Sequence, residues 1–217
     1  MAAPRIHPLD NERRHILQAL IAGAAFDGFS PISLELAATS LGEQPELAKA
    51  AFPGGVTEAL ALWSADIDEA CCIHLAGLPE DTKIREKVKT GVAFRLEYLQ
   101  PTKEAARRAA ATLALPQNVP LSTKLVWNSA DVIWRGIGDT STDINFYSKR
   151  TILAGVLSST LAKWFTDDDA DFRATTAFLD DRIENVMSFE KIKSRLPSPQ
   201  KAVSEAVSIL AGLRYRS

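Results

Sequence analysis

Residues 33–55, SLELAATSLGEQPELAKAAFPGG, decide the fold. Apolar residues recur at helical spacing through 33–41 and again through 45–52, and Ser33 offers the side-chain oxygen of a helix N-cap. Gly42 stands where a helix end favours a left-handed residue, and Pro45 opens the next segment, so a tight turn separates two short helices. Pro53, Gly54 and Gly55 then break the chain. Upstream, residues 10–27 place Ile16, Leu17, Leu20, Ile21 and Ala24 on one helical face, with Gly28 at the stop. Downstream, a longer helix runs to about residue 76. The chain thus opens as a helix, a helix-turn-helix pair and a connecting helix.

Working outward, the 3.6-residue period continues almost everywhere, and no alternating run bounded by turn signals reads as a strand. The pattern predicts a helix through Arg85, Val88, Val92 and Leu96, an alanine-rich one over 101–114, and a loop over 116–120. Helices over 121–137, 145–166 and 171–196 follow, and Pro197 and Pro199 introduce a short final one. The expected fold is all-α: a degenerate helix-turn-helix region with its connecting helix (1–76), a larger helical ligand-binding and dimerisation body (77–196), and an amphipathic C-terminal helix (197–217). With no repeat and no long linker, these form one unit.

Composition narrows the functions. The 217 residues carry a net charge of −2 and 46% hydrophobic content, enough for a sizeable core but without a global basic field for nucleic acid. Locally the balance is worse for DNA. Residues 28–70 hold one base, Lys49, against Glu35, Glu43, Glu46, Glu58, Asp66, Asp68 and Glu69. Phosphate neutralisation supplies most of the affinity of a helix-turn-helix module, so this surface repels DNA and no DNA partner is expected. The longest uncharged stretch, 109–123, is interrupted by Pro116 and Pro120 and falls short of the roughly 20 apolar residues of a membrane span. Residues 1–10 have neither an apolar core nor an arginine-rich pattern, which gives cytoplasmic as the expected location.

Catalytic signatures are missing. Glu12-x-x-His15 is half of a di-iron pattern without its second half. Gly136-x-Gly138 lacks the third glycine and the preceding strand of a dinucleotide loop. The adjacent Cys71 and Cys72 read as reduced core residues. The chain is expected not to be an enzyme, and to need no metal or cofactor.

The most distinctive run is DVIWRGIGDTSTDINFYSKR, residues 131–150. On a helical wheel Leu121, Leu125, Ser129, Val132 and Gly136 share one face, while Trp127, Asp131 and Trp134 fall opposite, outward or into a cleft. Exposed indoles beside a carboxylate suit partner docking; burial of both indoles inside the bundle is the alternative. Gly136 and Gly138 end one helix, Thr142 or Asp143 caps the next, and Asp139 and Asp143 pair with Lys149 or Arg150 across the turn.

Asp131-x-x-Trp134, Gly138-Asp139-x-Ser141-Thr142-Asp143-x-Asn145-x-Tyr147-x-Lys149-Arg150 and Phe178-Leu179-x-x-Arg182-Ile183-x-Asn185-Val186-Met187 resemble the accessory lipid-binding proteins of ubiquinone (coenzyme Q) biosynthesis that carry the number nine in that series. The resemblance is strongest over 121–195; the N-terminal half agrees in layout, which is that of TetR-type regulators. It implies a TetR-like, usually dimeric fold that binds isoprenoid quinone intermediates or phospholipid, associates with the membrane, and works with the di-iron demethoxyubiquinone hydroxylase. The implied docking patch comprises Leu121, Asp131 and Trp134, with Arg135 where the family often has an aromatic. The expected lipid pocket draws on Leu125, Val132, Leu153, Val156, Leu157, Leu161, Phe178, Leu179 and Ile183 in the later helices, whose slim Ala154, Gly155, Ser158 and Ser159 leave room for an apolar ligand.

The tail supplies a membrane contact. Val203, Val207, Leu210 and Leu213 share one face of an amphipathic helix, which suits the membrane interface as well as it suits packing on a bundle. The sequence therefore points to a peripheral accessory protein on the inner face of the membrane that presents substrate to the hydroxylase. A TetR-like ligand-responsive regulator and an enzyme acting on a lipid are the alternatives.

Overall fold

The computed structural model of the chain describes residues 8–142 and 144–195, without the side chains of 144 and 186–195. Among the described residues all regular structure is helical: α1 (Asp10–Asp27), α2 (Pro31–Ser40), α3 (Pro45–Ala51), α4 (Val56–Ala76), α5 (Ile84–Leu99), α6 (Lys103–Leu113), α7 (Val119–Gly136), α8 (Ile144–Phe165) and α9 (Arg173–Arg195), with single 3-10 turns at Gln100–Thr102 and Pro116–Asn118. Expectations for Asp143 and for Val203, Val207, Leu210 and Leu213 fall outside the described residues.

The helix-turn-helix forms with one shift. Ser30, not Ser33, is the N-cap of α2: its hydroxyl accepts from the Ser33 amide at 3.1 Å while the Ser33 hydroxyl accepts from the Ser30 amide at 2.8 Å. Pro31 explains the shift, since its fixed φ suits the first helical position and starts α2 a turn earlier. At the other end Gly42 adopts φ 81, the Gly42 amide donates to Thr39 and the Glu43 amide to Ala38. That pairing is a Schellman closure, and a side chain at this φ would be strained. Further on, Pro120 lies in the first turn of α7, where a missing N–H is harmless, so that helix begins two residues before the expected start.

Two apolar clusters hold the bundle. The first gathers Ile16, Leu17 and Leu20 of α1, Leu34 of α2, Phe52, and Trp63 of α4 with Leu96, Ala105, Ala109 and Trp164 from α5, α6 and α8. Each fully buried large aliphatic contributes about 1.5–3 kcal/mol, so the helix-turn-helix is anchored to the later helices by a shared core. Arg13 reinforces it from inside: the buried guanidinium donates to the Ala51 carbonyl and to Glu58 at 2.8 Å, and lies 4.6 Å from the Phe52 ring centre. Leu75, Val92, Ala130, Ile133, Leu153, Leu179 and Ile183 belong to the second cluster, where α4, α5, α7, α8 and α9 meet. Close approach there depends on Gly91, because a Cβ would come within 3.1 Å of Ile133.

Candidate functional site

Between α4, α5, α6, α7 and α8 lies a cavity of about 590 Å³, within the usual range for small-molecule sites. Trp63 and Ile67 of α4, Val92, Leu96 and Leu99 of α5, and Leu125 of α7 form much of one side. Opposite in sequence character is α6, which contributes Ala106, Ala109, Ala110 and Ala111. The void follows from those short side chains, which stop where a leucine would reach a neighbouring helix. Ala111, Ala114, Ser158 and Ala162 are lining residues that are also exposed, so the cavity reaches solvent between α6 and α8. Basic side chains of α6 tie that region together: Lys103 donates to the Asp167 carbonyl and Arg107 to the Phe165 carbonyl, each at 2.5 Å, satisfying acceptors at the end of α8.

One charged pair borders this apolar space. Arg95 of α5 lines it and donates to Asp68 of α4, and the two side chains are only 13% and 11% exposed. Burial pushes the Asp68 carboxyl above its ordinary value, while Arg95 and the Ser129 hydroxyl pull it back. Nearby, burial pushes the Cys71 thiol up to about 11, which suppresses the thiolate that a nucleophile or metal ligand needs. Its neighbour Cys72 is exposed, correcting the reading of both cysteines as core residues. Among the described residues no group of three His, Cys, Asp or Glu side chains is arranged to hold a metal.

The expected pocket residues divide. Leu125, Leu157 and Leu161 line the cavity, whereas Leu153, Val156, Leu179 and Ile183 are buried in the second core cluster. Val132 is half-buried away from the lining, and Phe178 is half-buried under the Arg182 guanidinium, 4.9 Å from its ring centre. A helix that is apolar all round packs one face solidly, and only the remaining face meets a void. Sequence reasoning missed α4, α5 and α6 as walls; the alanine run of α6 was the available signal.

The turn between α7 and α8 is built from the distinctive run. Gly138 takes φ 88, and the amides of Gly138 and Asp139 donate to Arg135 and Trp134, a second Schellman closure. Arg150, 1% exposed, reaches Asp131 at 2.6 Å and Asp139 at 3.0 Å, and Lys149 reaches Asp139 at 2.6 Å. Burial alone would raise the Asp139 pKa, but hydrogen bonds from Lys149, Ser141 and Arg150 outweigh it and hold the carboxyl well below the usual range. The expectation paired Asp139 with Lys149 or Arg150, and the structure pairs it with both.

Of the expected docking residues Asp131, Trp134 and Arg135 sit at this lock, whereas Leu121 lies at the other end of α7. Trp134 is half-buried, its Nε1 donating to the Lys149 carbonyl at 3.1 Å, and Asp131 accepts from Arg150. Trp127 is also half-buried, against Phe146 and Tyr147, so the indoles do not stand free as expected. Leu121 is half-buried; Arg135 is exposed and pairs with Asp131 at 2.9 Å. Among the described residues no helix is long and apolar enough to cross a membrane.

Residues 119–190, spanning α7, α8 and most of α9, match the COQ9 family model. The chain is 32% identical over 152 residues to the mitochondrial ubiquinone biosynthesis protein COQ9 of Rattus norvegicus, covering 70% of this chain and 49% of that protein. It is 31% identical over 131 residues to the mitochondrial COQ9 of Homo sapiens, covering 60% and 41%. The chain thus spans about half the length, or less, of the curated relatives it matches. In fold it is similar to a TetR transcriptional regulator from Nitrosomonas europaea, with a TM-score of 0.63 and 14% identity over 81% of this chain and 97% of that one.

Proposed function

Starting from the COQ9-family segment that the chain carries on a TetR-like body, we propose that this is a non-enzymatic accessory protein of ubiquinone biosynthesis that shields a lipid in the cavity between α4 and α8. The ligand is an isoprenoid quinone intermediate or a phospholipid, and the recipient of a quinone is the di-iron demethoxyubiquinone hydroxylase. The observation that carries this reading is a cavity of about 590 Å³ walled mainly by aliphatic side chains and alanine and open between two helices. A cavity of this size falls within the roughly 300–1,000 Å³ of small-molecule sites, room for a head group with the first part of a tail. Each square ångström of apolar tail removed from water is favourable by about 25 cal/mol, so such a cavity lowers the barrier to lifting a head group from the bilayer.

Arg135, beside the Asp131 and Trp134 lock, with Leu121 at the other end of α7, forms the proposed docking surface for the hydroxylase. The protein is peripheral to the membrane and dimeric in this proposal, with residues 201–217 as the membrane contact. Deleting them should reduce association with liposomes. A regulator reading is opposed by the single base over residues 28–70, Lys49, which is itself engaged by Glu35 at 3.0 Å.

Mass spectrometry of lipids extracted from the purified protein, against a mock purification, tests the carrier role. Stoichiometric quinone or phospholipid is expected. A ligand-free protein that also takes up neither class from vesicles would sink it.

A further inference from the structure

The cavity wall is apolar except for a few serine hydroxyls and two arginines, and the inner arginine brings no uncompensated charge. Arg107 is exposed to solvent and shares Glu104 with Arg108, at 3.6 and 3.3 Å. Arg95 is the inner one, and its Nη1 is bonded to the buried Asp68 on the neighbouring helix. A guanidinium has five N–H donors. Among the described residues the hydrogen-bond partner of Arg95 is Asp68, and Arg95 itself lines the void, which leaves guanidinium donors for a ligand.

We propose that Arg95 seats the uncharged, hydrogen-bond-accepting head of an amphiphile, and that Asp68, by neutralising Arg95, makes the cavity select against carboxylate and phosphate heads. The inference rests on the carrier reading above and narrows its ligand to the neutral class, such as a benzoquinone or phenol bearing an apolar tail. A carbonyl or methoxy oxygen accepts from the spare guanidinium donors and loses little hydration on entry. An anion entering the same place gives up its water, finds a pair of net charge zero and approaches the Asp68 carboxylate. Ser64 and Ser122 add uncharged hydroxyls to the lining, while the buried Ser129 hydroxyl is engaged with Leu125 and Asp68. Selectivity of this kind comes from what the wrong head leaves uncompensated rather than from extra contacts to the right one.

Calorimetric titration of the full-length protein tests it, using ligands of matched tail: a decyl-substituted dimethoxybenzoquinone, decyl phosphate and decanoate. The quinone is expected to bind at least tenfold more tightly than either anion. Asp68→Asn should free the charge of Arg95 and raise the affinity for decyl phosphate by tenfold or more, while Arg95→Met should weaken quinone binding about tenfold. Equal affinity of the wild-type protein for quinone and anions overturns the head-group assignment and leaves the carrier reading standing. If none of the three binds, both fall. The wild-type comparison needs no variant, so a misfolded Asp68→Asn protein does not rescue the idea.

Discussion

The α7–α8 turn and the alanine wall of α6 stand at opposite extremes of the sequence. The turn is full of residues that suggest chemistry, one tryptophan, three acids and three bases, yet most of its described polar groups bond one another. Helix α6 is an alanine-rich stretch with no motif, and it walls the cavity of about 590 Å³. The contrast teaches that distinctive side chains here fix the angle between two helices, while short ones leave space between helices. The turn matches the COQ9 model and α6 lies outside that match.

The largest effect should come from breaking the turn. Arg150→Met leaves Asp131 and Asp139 without their buried partner, and removing one member of such a network costs about 3–5 kcal/mol. A urea unfolding midpoint well below that of the wild type is the expected result, with lipid content per folded molecule unchanged. An unaltered midpoint would show that the network is not a lock. The converse variant, Ala110→Trp, projects an indole into the cavity. Co-purifying lipid should fall severalfold while stability changes by less than about 2 kcal/mol, because the side chain enters existing space. Retention of a full lipid complement would place the ligand elsewhere.

Much of the fold was legible because its determinants are local. Apolar periodicity located the helices to within a few residues, and Gly42 and Gly138 marked left-handed closures that glycine alone takes without strain. The N-cap slipped from Ser33 to Ser30 because two serines three residues apart form a reciprocal box, and the intervening Pro31 decides which one begins it. The cavity was only partly legible. Leu125, Leu157 and Leu161 were anticipated, but Leu179 and Ile183 look identical in sequence and pack solidly into the second core. Arg95 and Asp68 stand 27 residues apart on separate helices, as Arg13 and Glu58 stand 45 apart, and no spacing rule joins them.

A smaller effect should separate the turn from the rest of the molecule by pH. The Asp139 carboxyl is held below its usual range, so its contribution to stability is fully present above the unfolded value of about 3.9 and is lost as pH falls through the folded one. Asp139→Asn removes that dependence. The stability gap between wild type and Asp139→Asn should therefore be constant from about pH 7 to 5 and shrink below pH 4, as followed by circular dichroism during urea unfolding. A gap that stays constant down to pH 2 would mean that the Asp139 carboxyl is not tuned by its partners.

The smallest effect on stability is expected at Arg135, and that makes it the informative site for docking. Trp134 is a poor probe, because replacing it also removes the hydrogen bond from its indole to the Lys149 carbonyl, so lost binding and a loosened turn would look alike. Arg135 has a side chain 68% exposed, and its pairing with Asp131 is of the surface kind that contributes about 0–1 kcal/mol. Arg135→Glu reverses a charge at the rim of the proposed patch and leaves Asp131 its buried partner Arg150. Capture of the hydroxylase should weaken severalfold with the unfolding midpoint nearly unchanged. If capture is unaffected, Leu121 and Arg135 are not the docking surface, and the turn serves the fold alone.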